Sequence, residues 1–231
     1  MKQKILFIMH MPPPVHGAAM VGQYIHDSKL INEKFEGHYI NLTTAKNLQD
    51  IGKVGIRKLI DFYALLRKIR RSLKTINPDL VYVTPNACGG AFYKDYIVVQ
   101  MIKRMGFQVV VHYHNKGVAT RQNRFLDNFL YQRFFKGIKV ILLSECLYDD
   151  VKKYVKREDV FVFPTFYHNE CFPLVLLEAM QHHLPCISTT EGGIPGIIDD
   201  KETGYRKFND KFTLRKFEES MVDILNDCLH S

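Results

Sequence analysis

The sequence predicts an α/β protein built on a parallel, doubly wound sheet. Short apolar runs suited to buried strands alternate with longer stretches whose apolar residues recur at helical spacing. Proline, glycine and asparagine punctuate the joints, ending one element and opening the next. Sheets of this class place their ligands beyond the carboxyl ends of the strands, so strand ends are where functional residues are sought.

The elements follow in order. KILFIM (4–9) is the first strand. HMPPPVHGAAM breaks it, and a helix resumes from Ala18. GHYINL (37–42) is the second strand. IRKLIDFYALLRKIRRSLKTINP (56–78) is a strongly amphipathic helix with the apolar set Leu59, Ile60, Phe62, Tyr63, Leu66, Ile69 and Leu73, stopped by Asn77-Pro78. DLVYVT (79–84) is a buried strand, and the helix from GGAFYKDY onward stops at Gly106. FQVVVHYH (107–114) is a strand, NRFLDNFLYQRFFKG (123–137) a helix capped at Gly137, and IKVILLSE (138–145) a strand. CLYDDVKKYVK (146–156) is a short helix. Beyond Glu158 the pattern changes: a strand DVFVFPT (159–165), a helix beginning near Phe172-Pro173, a strand LPCISTT (184–190), a glycine-rich loop, and a terminal helix KFTLRKFEESMVDILND (211–227).

A chain of 231 residues has length for one or two domains with a sizeable core. Its net charge of +8 favours an anionic partner: a nucleotide, a nucleic acid or a membrane surface. Nucleic acid is disfavoured, because no aromatic-basic recognition motif accompanies the charge. The five scattered cysteines show no C-x-x-C pair, which argues against a disulfide framework or a zinc site and fits a reducing, cytoplasmic setting. No apolar run is long enough to span a bilayer, and the apolar core at the start, Ile5–Met9, reads as a strand rather than a leader. The helix over 56–74 carries Arg57, Lys58, Arg67, Lys68, Arg70, Arg71 and Lys74 against Asp61 alone. Two readings stand for it: a solvated outer face, or a contact with an anionic membrane surface at which the protein is peripheral.

HNECFPLVLLEAM (168–180) places Glu170 on a loop and Glu178 on the helix after it. Proline suits the first helical turn, and the free amides of Leu174 and Val175 form an end that attracts a phosphate. The plainer alternative is an acid that complements the helix dipole and a second that is merely solvated. Of His112 and His114 in VVVHYH, which share one sheet face, His114 closes the strand, and one of the two can be a packed histidine. Ser144 and Glu145 also end a strand, in positions suited to capping the next helix.

The segment FVFPTFYHNECFPLVLLEAMQHHLPCISTTEGGIPGIIDDKETGY resembles the donor-site segment of family 4 retaining glycosyltransferases, which have the GT-B fold. The likeness lies in an aromatic-rich strand, ECFP, a second glutamate eight residues on, GG-I-P and TGY. The resemblance implies a Rossmann-like first half and a second Rossmann-like half that binds a nucleotide-sugar. It implies that Glu170 sits near the donor sugar and reacting centre, that Glu178 binds ribose hydroxyls, and that the amides of Leu174 and Val175 contact the diphosphate. Gly17 matches a glycine of the first loop, close to the donor phosphates, with a plain turn as the alternative. His114 matches a histidine near the donor sugar and acceptor. Gly192 and Gly193 match a turn near the nucleotide. Where the family usually has an acid after the following proline, this chain has Gly196.

The expected activity is transfer of a sugar from a nucleotide-sugar to a saccharide or lipid-linked acceptor with retained configuration, in surface polysaccharide assembly. It needs no metal and no cofactor, since the nucleotide-sugar is a substrate. The expected domains are 1–157, acceptor-side, and 158–231, a partial donor domain. Only 74 residues lie in that second part, from 158 to 231, too few for a complete half. No counterpart of the family's donor-phosphate Arg/Lys pair is visible. An internal deletion near 156–159 is inferred, and a truncated remnant that binds without turnover is the competing reading.

Overall fold

The computed structural model of the chain describes residues 2–13, 17–42, 56–142, 147–162, 186–188, 204–206 and 214–230. Strand β1 (Lys4–Met9) is followed by helices α1 (Gly17–Asp27) and α2 (Lys29–Lys34), then β2 (Glu36–Asn41), α3 (Ile56–Ile76), β3 (Leu80–Val83), α4 (Gly89–Arg104) and β4 (Val109–Tyr113). Helices α5 (Val118–Arg121) and α6 (Phe125–Phe135), strand β5 (Lys139–Leu142), helix α7 (Tyr148–Val151), a 3-10 turn (Arg157–Asp159) and strand β6 (Val160–Val162) follow.

These strands form one six-stranded sheet in the order β2-β1-β3-β4-β5-β6, every pair parallel. The chain winds outward from β1 in both directions, the doubly wound, Rossmann-like arrangement that the alternation predicts. Its winding reverses between β1 and β3, so a crevice opens there at the carboxyl edge.

The sheet is buried on both faces, as its near-continuous apolar strands require. One face presents Leu6, Ile8, Val81, Val83, Val109, Val111, Val140 and Leu142 to a core completed by Leu65, Ile69 and Leu73 of α3, Phe92 and Val98 of α4, and Tyr131 and Phe134 of α6. Phe92, Tyr131, Phe134 and Phe135 interlock there, with Phe92 and Tyr131 ring centres 4.5 Å apart. Residues Ile5, Phe7, Tyr82 and His112 face the other way. Phe7 stacks on Tyr39 at 5.0 Å, and Tyr82 Oη lies 2.6 Å from His112 Nδ1.

Helix ends follow the expected punctuation. Gly106 takes φ +86°, and the Gly106 and Phe107 amides donate to the carbonyls of Lys103 and Ile102, which closes α4 with a Schellman turn. Asn77 takes φ +50° at the end of α3. The apolar face of α3 is rotated from the expected one: Leu65 joins the core, whereas Leu59, Ile60 and Tyr63 stand exposed. Residues 62, 65, 66, 69, 73 and 76 lie on one side of a helix of 3.6 residues per turn, and 59, 60 and 63 fall outside it. Helix α2, not expected from the sequence, starts at Ser28, whose hydroxyl accepts from the Ile31 amide.

The chain divides into two compact units, Met1–Pro164 with Glu218–Ser231, and Thr165–Phe217. Val160–Val162, grouped with the second half in the sequence reading, pairs with β5 from Val140↔Val160 to Leu142↔Val162 and extends the first sheet. The terminal helix α8 (Leu214–His230) contributes Met221, Leu225 and Cys228 as buried side chains, and Gln108 Nε2 donates to the Cys228 carbonyl. Burial pushes the Cys228 thiol up to about 12, so it stays protonated and inert. In the second unit, β7 (Cys186–Ser188) and β8 (Gly204–Arg206) form a parallel pair in the register Cys186↔Gly204 to Ser188↔Arg206.

Candidate functional site

Among the described residues, the candidate site is the carboxyl edge of the six-stranded sheet, where three loops are tied to one another. After β1, the His10 amide donates to Thr84 Oγ1 at 3.0 Å, and Thr84, ending β3, donates its own amide to the Ile8 carbonyl. Asn41, ending β2, grips the same loop twice: Oδ1 accepts from the Met11 amide and Nδ2 donates to the Met11 carbonyl. The floor of the crevice between β1 and β3 is therefore fixed by hydrogen bonds from both neighbouring strands.

The β3–α4 loop is held from beneath by Asp95. This carboxylate is fully buried on α4; its Oδ2 accepts from the Asn86 amide at 2.9 Å and from Asn86 Nδ2 at 2.8 Å, and Oδ1 lies 3.6 Å from Lys94 Nζ. Burial raises its pKa, opposed in part by Lys94 and the Asn86 bonds. The Ala87 amide donates to Asn115 Oδ1, and the Ala87 carbonyl accepts from Tyr131 Oη at 2.7 Å, so the loops after β3 and β4 are fastened together.

The β4–α5 loop is locked by Asp150. Its two oxygens accept from the amides of Gly117, Val118 and Ala119 at 2.9, 3.0 and 2.9 Å, which satisfies the start of α5 with one carboxylate from α7. Gly117 has φ +147°, and a Cβ there would stand 2.7 Å from Cys88 Sγ. Sequence reasoning did not single out Asp95 or Asp150. Each acts across a gap no local pattern reports: the Asp150 contacts bridge 31 to 33 positions.

His114 follows β4 directly, half-buried, at this edge, while His112 is completely enclosed two residues earlier. Their ring centres are 4.2 Å apart. Burial first, and then the neighbouring His114, holds the His112 pKa well below the usual range, so His112 is a neutral packed ring tied to Tyr82. The structure thus separates the two histidines that the sequence left open, one as core and the other at the strand end.

Gly17 is the first residue of α1, with open space where a Cβ would stand. A close approach within the protein occurs at Gly22, where a Cβ would meet the His10 carbonyl oxygen at 2.0 Å. Helix α1 can lie against the β1 loop only because position 22 carries no side chain. Glu170, Leu174, Val175, Glu178, Gly192, Gly193, Ser144 and Glu145 lie outside the described residues.

A cavity of about 390 Å³ occurs at the opposite, amino edge of the sheet, lined by Leu80, Gln108, Lys139, Tyr154, Asp159 and Cys228 among others. Ligands of open parallel sheets sit at the carboxyl edge, so this cavity is not the first candidate.

Residues 117–227 match the family model of group 1 glycosyl transferases. The matched segment starts at the Asp150-locked loop and runs through ECFP, Glu178 and GGIP to α8. Two curated relatives share shorter stretches. Sulfoquinovosyl transferase SQD2 of Arabidopsis thaliana is 32% identical over 77 residues, 33% of this chain and 15% of its own length. N-acetyl-alpha-D-glucosaminyl L-malate synthase of Bacillus anthracis is 42% identical over 57 residues, 25% of this chain and 14% of its own. The chain thus aligns with about one seventh of the length of these relatives. The crystal structure of Acinetobacter baumannii MurG aligns over 99% of this chain and 92% of its own at 9% identity and a TM-score of 0.28. That similarity is too low to define a fold, which rests here on the sheet topology itself.

Proposed function

We propose that this chain is a glycosyltransferase of the GT-B type that moves a sugar from a nucleotide-sugar to a saccharide or lipid-linked acceptor with retained anomeric configuration. The observation that carries the reading is the group 1 match over 117–227, because the paired acids Glu170 and Glu178, the helix start and the GGIP turn all fall inside it. The crevice fixed between β1 and β3, with His114 at the adjacent strand end, supports it from the described side of the molecule.

In this reading Glu178 accepts from the ribose hydroxyls, since an ionised carboxylate can take two such bonds. The amides of Leu174 and Val175 hold the diphosphate, the Gly192-Gly193 turn lies against the nucleotide, and Gly17 lies at the donor phosphates. Glu170 and His114 flank the sugar. The bond between the anomeric carbon and the diphosphate oxygen breaks, and the acceptor oxygen bonds to that carbon on the same face. The acceptor proton passes to an oxygen of the leaving diphosphate. No cofactor enters the scheme. Surface polysaccharide assembly on the cytoplasmic side is the proposed setting, with Thr165–Phe217 as the core of a donor half shortened by an internal deletion.

A second reading, a remnant that binds but does not turn over, is favoured by the missing Arg/Lys pair, because an uncompensated leaving diphosphate loses several kcal/mol of stabilisation. Calorimetric titration with UDP, GDP and ADP tests both. Weak binding to one of them is expected, lost in Glu178→Ala and retained in Glu170→Ala. Each charge-assisted bond absent is worth about 1.5–3 kcal/mol, at least tenfold in affinity. Equal binding by parent and both variants would show that the two acids are solvated decoration. Release of nucleoside diphosphate from a nucleotide-sugar in the presence of acceptor then separates enzyme from remnant.

A further inference from the structure

The loops after β3 and β4 carry two carboxamides, Asn86 and Asn115, whose orientations are set by what holds them. Asp95 Oδ2 accepts the Asn86 main-chain amide at 2.9 Å, and the Asn86 side chain donates to the same oxygen through Nδ2 at 2.8 Å. Asn86 Oδ1 therefore faces away from Asp95. A main-chain amide can only donate, so the Ala87 amide fixes Asn115 Oδ1 as its acceptor at 3.0 Å and turns Asn115 Nδ2 away. The two outward groups meet, with Asn115 Nδ2 3.5 Å from Asn86 Oδ1.

That separation is at the limit of hydrogen bonding, so each group satisfies the other only weakly. The ties around them are shorter. Tyr131 Oη donates to the Ala87 carbonyl at 2.7 Å, and Asp150 accepts the Gly117, Val118 and Ala119 amides at 2.9, 3.0 and 2.9 Å. Asn115 is thus anchored on both sides, by the β3–α4 loop and by Asp150, in a position that leaves the gap to Asn86 open. Asn115 is exposed, and Asn86 and His114 are half-buried. The carboxyl edge of the sheet presents one donor and one acceptor side by side, held in place before any ligand arrives.

A hydroxyl complements such a pair, because it can accept from Asn115 Nδ2 and donate to Asn86 Oδ1 together. Two hydroxyls on adjacent carbons can divide the same two bonds between them. An ionised carboxylate or phosphate only accepts, so it would gain the Asn115 bond and face the Asn86 oxygen with like partial charge. An ammonium only donates and would oppose Asn115 Nδ2. Lys116, exposed beside Asn115, is the adjacent charge in the chain.

We propose that Asn86 and Asn115 bind a hydroxyl, or a vicinal pair of hydroxyls, of a saccharide, with Asp95 and Asp150 as the positioning residues of the pair. That this saccharide is the acceptor rests on the glycosyltransferase reading; the hydroxyl site itself does not.

With the intact chain labelled on nitrogen, the Asn115 side-chain amide signals are identified by their loss in Asn115→Asp. They should shift on titration with at least one of the methyl α-glycosides of glucose, galactose, mannose and N-acetylglucosamine, and stay in place with inorganic phosphate or acetate. Asn115→Asp keeps an oxygen for the Ala87 amide and replaces only the outward donor. Its thermal midpoint should stay near the parent's, while glycoside binding, followed by saturation transfer to the sugar protons, weakens about threefold to tenfold, the loss of one neutral hydrogen bond. Asp95→Asn and Asp150→Asn should move the Asn115 signals without ligand and weaken glycoside binding, with uptake of UDP, GDP or ADP as in the parent. Equal weakening of glycoside and nucleotide would reduce both acids to structural residues and overturn their part. The hydroxyl site itself is overturned if none of the four glycosides shifts Asn115, if phosphate or acetate does so instead, or if Asn115→Asp binds them like the parent. A shift with UDP and none with the glycosides would put a ribose at the pair and overturn the saccharide assignment. Nucleotide uptake without any glycoside shift leaves the transferase reading standing and removes this site; a glycoside shift in a chain that takes up no nucleoside diphosphate does the reverse.

Discussion

The unit Met1–Pro164 with Glu218–Ser231 and the unit Thr165–Phe217 carry different kinds of information. The first holds a six-stranded sheet covered on both faces, with a continuous aromatic core. In the second, the described strands are a parallel pair of three residues each. Yet the family motif, from ECFP to GGIP, lies wholly within the second. A sheet is specified by many interchangeable apolar contacts, whereas a donor site is specified by a few side chains of fixed chemistry.

The sharpest way to test that division is to end the chain after Pro164. This removes α8 together with the second unit and exposes what Met221, Val222, Ile224, Leu225 and Cys228 cover. Each buried aliphatic side chain is worth about 1.5–3 kcal/mol, so the loss should be on the order of 5 kcal/mol or more in denaturant unfolding. Unchanged stability would mean that α8 is not part of the first unit.

A single methyl group tests the next largest effect. Gly22→Ala puts a Cβ 2.0 Å from the His10 oxygen and should cost about 3 kcal/mol, at the upper end of overpacking. Gly17→Ala, with open space at that position, should be within about 0.5 kcal/mol of the parent. Similar losses at both positions would contradict the packing of α1 on the β1 loop.

His112 gives a pH signature to the first unit. Its folded pKa is depressed, so above about 6.5 both states are neutral there. Below that, the unfolded chain binds the proton first, and stability falls with falling pH by up to about 1.4 kcal/mol per unit from this group. His112→Phe should remove that component of the slope in urea unfolding followed from about pH 7.5 to 5; an identical slope would show that His112 is not enclosed.

The smallest effect separates two buried tyrosines. Tyr131→Phe removes the bond to the Ala87 carbonyl and should cost about 1 kcal/mol. Tyr113 Oη is buried with no hydrogen-bond partner among the described residues, so Tyr113→Phe should be neutral or stabilising. Thermal unfolding midpoints rank the pair, and the reverse order would refute the network at the β3–α4 loop.

The sheet was legible because strand and helix periods differ and turn residues mark the joints: Gly106 and Asn77 end their helices where the sequence places the stops. The orientation of α3 was not, since Leu59, Ile60 and Tyr63 continue an apolar count that only neighbouring helices can interrupt. The ties at the carboxyl edge were invisible for the same reason. Asp150 meets its three amides across more than thirty residues, and a lone acid in YDDV carries no mark of that partner. His114 and Glu178 could be singled out in the sequence because strand-end position and motif chemistry are local properties.

The central claim is that a nucleoside diphosphate is held by the motif segment from ECFP to GGIP. Hydrogen exchange of the intact chain, with and without saturating UDP, GDP or ADP, addresses it directly. The account predicts slowed exchange in peptides spanning 170–195, and no change around Leu80, Gln108 and Lys139. Protection confined to those amino-edge residues, or none with any of the three nucleotides, would contradict it.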